Sequence, residues 1–168
     1  TGAVSFYTYD ADARSLCVRN DNNSYNPASM TTTAGTFYSV NNIIDITFVS
    51  PSDDNTGGDI EDDLNGEEHL VVIGDTQYDL NELPITTYYN YGYSQQIYTK
   101  DEIGINSGTI TKIAFKQSND AIYTRSNVVV YMQNTTKASY TSGSDWVNVT
   151  ENTKVFEGSL TTPGTNGN

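Results

Sequence analysis

Residues 88 to 98 read YYNYGYSQQIY, five tyrosines in eleven positions. In an extended strand, side chains alternate between faces. Tyr89, Tyr91 and Tyr93 then share one side with Gln95 and Ile97, while Tyr88, Asn90, Gly92, Ser94, Gln96 and Tyr98 share the other. Three rings in rank, with Trp146 as a fourth aromatic, form a platform on which pyranose rings stack: a flat ring buries apolar area and its hydroxyl reaches a sugar oxygen. The competing use of the same residues is structural, in cross-strand pairs and inter-sheet packing with hydroxyls at the rim. Glycan binding therefore requires Tyr89, Tyr91, Tyr93 and Trp146 to be exposed on one face. The plain role of Trp146, beside Asp145, is a core anchor at a strand start.

A second cluster lies at 51 to 68, PSDDNTGGDIEDDLNGEE, with eight acidic side chains and almost nothing apolar. Asp53, Asn55, Asp59, Asp62 and Asp63 offer hard oxygens for calcium, and Gly57 and Gly58 permit the tight turn that gathers them. The glycine and the closing glutamate are out of register with an EF-hand loop, and a self-repelling solvated connector explains the same composition. No cofactor is required by any motif; calcium is the one candidate ion.

Other chemistry is sparse. His69, the one histidine, stands at a strand edge next to this charged connector, a poor place for the base of a nucleophilic triad. No Gly-rich phosphate loop and no HExxH occurs. Asp10, Asp12, Glu82, Asp101 and Asp145 could be paired for glycoside cleavage, but among 21 acids any pair is easily nominated. We assign no catalytic residues and expect no enzyme. Asn22, Asn134 and Asn148 begin N-x-S/T triplets, glycan acceptors only in a host with the machinery.

The totals limit the remaining classes. A chain of 168 residues can bury one ordinary core without staples. Its formal charge of -13 repels phosphate backbones and anionic membrane faces. No apolar run approaches the roughly 20 residues of a spanning helix, so neither nucleic acid nor membrane insertion is expected. The chain begins at Thr1 without an initiator Met, which we read as a mature or excised product and as consistent with export to the cell surface or exterior. Cys17 is alone, excluding an intrachain disulfide and a cysteine metal site; its plain role is a small buried hydrophobe.

The elements that must carry these residues are short strands. TGAVSFYTY at 1 to 9 alternates with period two and is expected to form a hairpin with SLCVRN at 15 to 20. FYSVNNIIDITFV at 37 to 49 reads as one strand or two, and HLVVIGD at 69 to 75 as a compact apolar strand. TITKIAFKQ, SNVVVYMQN, DWVNV and KVFEGSL complete the set. Thr99 and Glu102 have capping-box spacing and Gly104 supplies a stop, predicting one short helical turn near 99 to 104. The fold class is all-β, a sandwich of immunoglobulin-like or jelly-roll-like type. Its organisation is a β segment over 1 to 50, an acidic linker or loop over 51 to 68, a second β segment over 69 to 160 and a polar tail over 161 to 168.

Over about 80 residues the second segment resembles a β-sandwich module repeated in large secreted surface and adhesin-like proteins of the Bacteroidetes type. The matching elements include Leu83-Pro84, Tyr88-Tyr89, the SQQIYT block from Ser94 to Thr99, Glu102-Ile103-Gly104, Ile113-Ala114-Phe115, Thr124-Arg125, Val130-Tyr131-Met132, Asp145-Trp146 and VFEGS from Val155. Residues 1 to 48 resemble the second half of the same module, so the halves stand in transposed order. The module's middle, two strands with a Trp and a run of aliphatics, is not evident after Ser159. A permuted domain, a slice of a longer array and a polymer subunit all accommodate this order. The resemblance implies an extracellular sandwich. A sandwich short of strands leaves edges that a strand from another copy can complete. Expected partners are thus copies of the chain itself and, on the alternative reading, glycans.

Overall fold

The computed structural model describes residues 13–38, 44–49, 68–74, 83–86, 88–105, 108–116 and 121–164. The expected strand over 1 to 9 and the calcium candidates Asp53, Asn55, Asp59, Asp62 and Asp63 lie outside these. The described fold is all-β and built from antiparallel sheets, as a sandwich-like domain requires. Its strands are β1 (Ser15–Asn20), β2 (Thr36–Tyr38), β3 (Ile44–Val49), β4 (Glu68–Ile73), β5 (Tyr91–Gln96), β6 (Thr109–Phe115), β7 (Thr124–Tyr131) and β8 (Lys154–Thr161). No helix among the described residues is long and apolar enough to cross a membrane.

The chain divides into two units. In the first, a sheet of order β2-β1-β5 joins distant segments: β1 pairs with β5 from Ser15↔Gln96 to Asn20↔Tyr91. This register places Leu16, Val18, Tyr93 and Gln95 on one face, because directly opposite residues of an antiparallel pair point the same way. That face meets Met30, Tyr140 and Trp146, all buried, with Ala13 and Ile97 at its margin. The segment 145 to 149, expected as a strand, is irregular. Its backbone is held instead by the Gln95 side chain, whose amide donates to Val147 O at 2.6 Å while its oxygen accepts from Val147 N at 2.8 Å. One amide side chain thus does the work of a neighbouring strand. Cys17 is buried on the opposite face of β1.

The second unit holds the sheet β4-β3-β6. Strand β3 alternates cleanly: Ile44, Ile46 and Phe48 are buried, while Asp45, Thr47 and Val49 are half-exposed. The inner row packs with Ile73, Val71, Ile113 and Phe115 and with Tyr98, Ile103 and Ile105 from the segment around the short helix α1 (Lys100–Ile103). That helix forms as its sequence dictates. Thr99 N donates to Glu102 Oε2 at 2.7 Å, Glu102 N donates back to Thr99 Oγ1 at 3.4 Å, and Gly104 ends the turn at φ 75°.

These two sheets therefore each pair a strand from the first 50 residues with one from beyond residue 90. Close approach of backbones in the first unit depends on Gly35: a Cβ there would lie 2.6 Å from Cys17 O and 2.7 Å from Trp146 Cζ2. The tryptophan is itself fixed by donating from Nε1 to Thr33 O at 2.7 Å. We predict that Gly35→Ala destabilises the chain by about 1 to 3 kcal/mol, the range for overpacking a filled core, measured by denaturant unfolding followed through Trp146 fluorescence. An unchanged midpoint would contradict this packing.

Candidate functional site

The four aromatic residues expected to form a glycan platform do not lie on one open face. Trp146 is 5% exposed, and Tyr93 packs against it with ring centroids 5.2 Å apart. Burial, the largest effect on it, pushes the Tyr93 hydroxyl above its ordinary pKa, with the bond to Gln95 opposing. The physical reason is register. Tyr93 lies opposite Val18 on the core-facing side of β5, where an aromatic ring gains more by burial than by exposure.

Two exposed tyrosines, Tyr88 and Tyr91, and the half-buried Tyr89 collect where the chain enters β5. Tyr88 is 88% exposed and meets Tyr89 edge to face at 5.3 Å, and the Arg19 guanidinium sits 5.0 Å from the Tyr89 ring centroid. Tyr91, at the strand start, is also exposed. The segment before them is anchored by polar contacts. Thr86 is buried over Gly92, where a Cβ would meet its methyl at 2.7 Å, and Thr86 Oγ1 accepts from Tyr88 N and Tyr89 N at 3.4 Å each. Ser94 Oγ donates to Pro84 O at 2.7 Å. Asn90 donates from N to Asp21 Oδ1 at 3.1 Å and from Nδ2 to Asp21 O at 3.3 Å. Strand periodicity assigned Tyr88 to the non-platform side and so passed over it; a bend at 88 to 90 turns it outward.

Of the carboxylates named for glycoside cleavage, Asp101 is exposed on α1 and Asp145 is structural, while Asp10, Asp12 and Glu82 lie outside the described residues. Asp145 accepts from Lys137 Nζ in a short contact and from Thr141 N and Oγ1 at 2.9 Å each. His69 stacks on Phe48 with centroids 5.4 Å apart, and its Nε2 is buried without a hydrogen-bond partner among the described residues. It is thus a packing residue of the second unit and not a surface one.

Two strand surfaces are open instead. Strand β4 forms one edge of its sheet, paired without interruption to β3 from Ile44↔Ile73 to Val49↔Glu68. Its outward residues Leu70 and Val72 are 63% and 60% exposed. Beside them runs a shallow depression lined by Asp45, Thr47 and Lys112. The other surface is the ribbon β7-β8, a two-stranded sheet with no third strand among the described residues. Val128 and Val130 stand opposite Gly158 and Phe156 on one face, and Val129 stands opposite Glu157 on the other. Val129, Val155, Phe156 and Leu160 are all exposed. Lys154 bonds Glu151 and Glu157 at 2.8 Å each across the end of the ribbon.

No family model matches the chain, and neither a curated protein nor a solved structure does.

The Asp145 clamp yields a sign-defined expectation. Burial alone raises the carboxyl's pKa, but the Lys137 ammonium and the two Thr141 donors together outweigh it and hold the group below its ordinary value. A depressed folded value means that this stabilisation is fully present above the unfolded pKa, about 3.9, and is lost as the pH falls through the folded value. Asp145→Asn should cost roughly 1 to 3 kcal/mol at neutral pH, the scale of hydrogen bonds to charged groups. It should also flatten the acid limb of stability measured by urea unfolding from pH 7 to 3. A variant with an unaltered acid limb would show that the clamp is energetically idle.

Proposed function

We propose that the chain is an extracellular structural or adhesive surface protein that associates with copies of itself through strand edges, forming a fibre or repeat array. The observation behind this reading is that, among the described residues, two separate strand surfaces have no partner strand, the β4 edge and the β7-β8 ribbon. A two-stranded ribbon is marginal alone in water, and exposed apolar rows on an edge strand are a template for another chain. One such surface per subunit gives dimers. Two, on different elements, let assembly continue without closing. β1 already pairs with β5 and β3 with β6 within the chain, so what a neighbour supplies is an added strand and not an exchanged one.

With a charge of -13 per copy, association must overcome repulsion that salt screens, the Debye length falling to about 10 Å at 0.1 M. Sedimentation velocity and negative-stain microscopy are expected to show oligomers that grow with protein concentration and with added sodium chloride. Single particles at every concentration and salt level would dispose of the proposal.

A second reading, carbohydrate binding, is favoured by one feature, the edge-to-face pair of exposed Tyr88 and half-buried Tyr89 beside Tyr91. On this reading Tyr88→Ala abolishes signals on a glycan array without changing the thermal midpoint. An array on which the unaltered chain gives no signal rules it out.

A further inference from the structure

The strand edges among the described residues are not equally open. β2 has only three residues, β5 has the segment 83 to 86 against it, with Ser94 Oγ donating to Pro84 O and Thr86 over Gly92, and β6 carries Lys112 and a register shift against β3; the β7-β8 ribbon, shifted twice in register with Asn127 at φ 57°, offers exposed apolar side chains rather than a straight edge. Short length, lysines and bulges are the devices by which sheet edges resist pairing. β4 has none of them: six residues, EHLVVI, with no Pro, no Lys and an uninterrupted register.

From this contrast we infer that β4 pairs antiparallel with β4 of a second copy across a two-fold axis through Val71, joining two three-stranded sheets into one of six strands. The inference rests on the self-association proposed above and names its contact. The occupant follows from the strand's own pattern. A register in which Leu70 faces Val72 of the other copy sets apolar against apolar at the three central positions, Leu70 with Val72 twice on the exposed face and Val71 with Val71 on the inner face, with His69 opposite Ile73 beyond them. Glu68, the one charge in the strand, falls opposite Gly74, which has no side chain, so no like charges meet despite the overall charge. A shift by two residues pairs Glu68 with Val72 in one direction and Leu70 with Gly74 in the other. A shift by one turns the row of Leu70 and Val72 toward the other copy's core side. The alignment centred on Val71 is thus the one that sets the Leu70 and Val72 side chains of both copies opposite one another.

Val71→Cys in a Cys17→Ala background tests the register, because directly opposite Cβ atoms in an antiparallel pair lie roughly 4.5 to 5.5 Å apart. Mild oxidation is expected to give a covalent dimer, with no such product from Cys17→Ala alone. In parallel, Leu70→Lys and Val72→Lys, at exposed positions that leave the core intact, should weaken the dimer seen by sedimentation about tenfold or more, since buried charge on a desolvated seam is strongly unfavourable. The paired change Val155→Lys with Leu160→Lys on the ribbon should stop growth beyond dimers but leave that dimer in place. Undiminished association of the two β4 lysine variants, with no cross-linking through residue 71, overturns the β4 contact while self-association stands. An unaltered chain that stays monomeric at all concentrations overturns both.

Discussion

The structure depends on backbone pairing between segments far apart in the chain. β1 reaches β5 across some 70 positions and β3 reaches β6 across a similar span, so each sheet exists only after a long loop has been closed. Loop closure grows slowly in cost with length, but it must precede any reward from contact, and folds of this type are intrinsically slow to form. The compensation is register. Alternating Ile44, Ile46 and Phe48 can be buried in one alignment only, and a slip of one residue would expose all three.

The first unit meets the same demand with less regular structure. Its sheet is covered on the core side by the 3-10 helix Pro27–Thr32, which carries Met30, and by the irregular stretch from Tyr140 to Trp146. Irregular chain over a core leaves backbone groups to be satisfied, and polar side chains supply the partners. Gln95 bonds both backbone groups of Val147, Asp145 gathers Thr141 and Lys137, and Trp146 reaches Thr33. Gln95 in particular stands in for a strand ladder where the chain does not run as a strand.

The same substitution explains what could and could not be read from the sequence. β3, β4 and β6 were legible because period-two alternation or a compact apolar run reports a strand directly, and the Thr99–Glu102 box reported α1 with its Gly104 stop. The segment DWVNV has strand composition and yet is irregular, because a side chain on β5 had already taken up its backbone groups; no local pattern carries that information. The tyrosine run was ambiguous for a related reason. Alternation places Tyr91 and Tyr93 on one face, but which side of the sheet is the core depends on the distant β1, and the bend that turns Tyr88 outward depends on Thr86 packing over Gly92 and on Asp21 holding Asn90.

The edges follow from the same economy of contacts. Where β6 places a lysine, the sheet rim is shielded; where β4 runs straight, its rim has no partner strand among the described residues and stands beside two exposed aliphatic side chains. A chain with 21 acidic residues had ample means to place one of them at position 70 or 72. Charge is instead concentrated elsewhere, seven acids falling in the 17 residues just before β4. For the β4 contact proposed above, long-range repulsion from such a cluster is screened by salt, whereas packing along the strand acts only at contact, so association would respond to ionic strength while short-range packing sets the register.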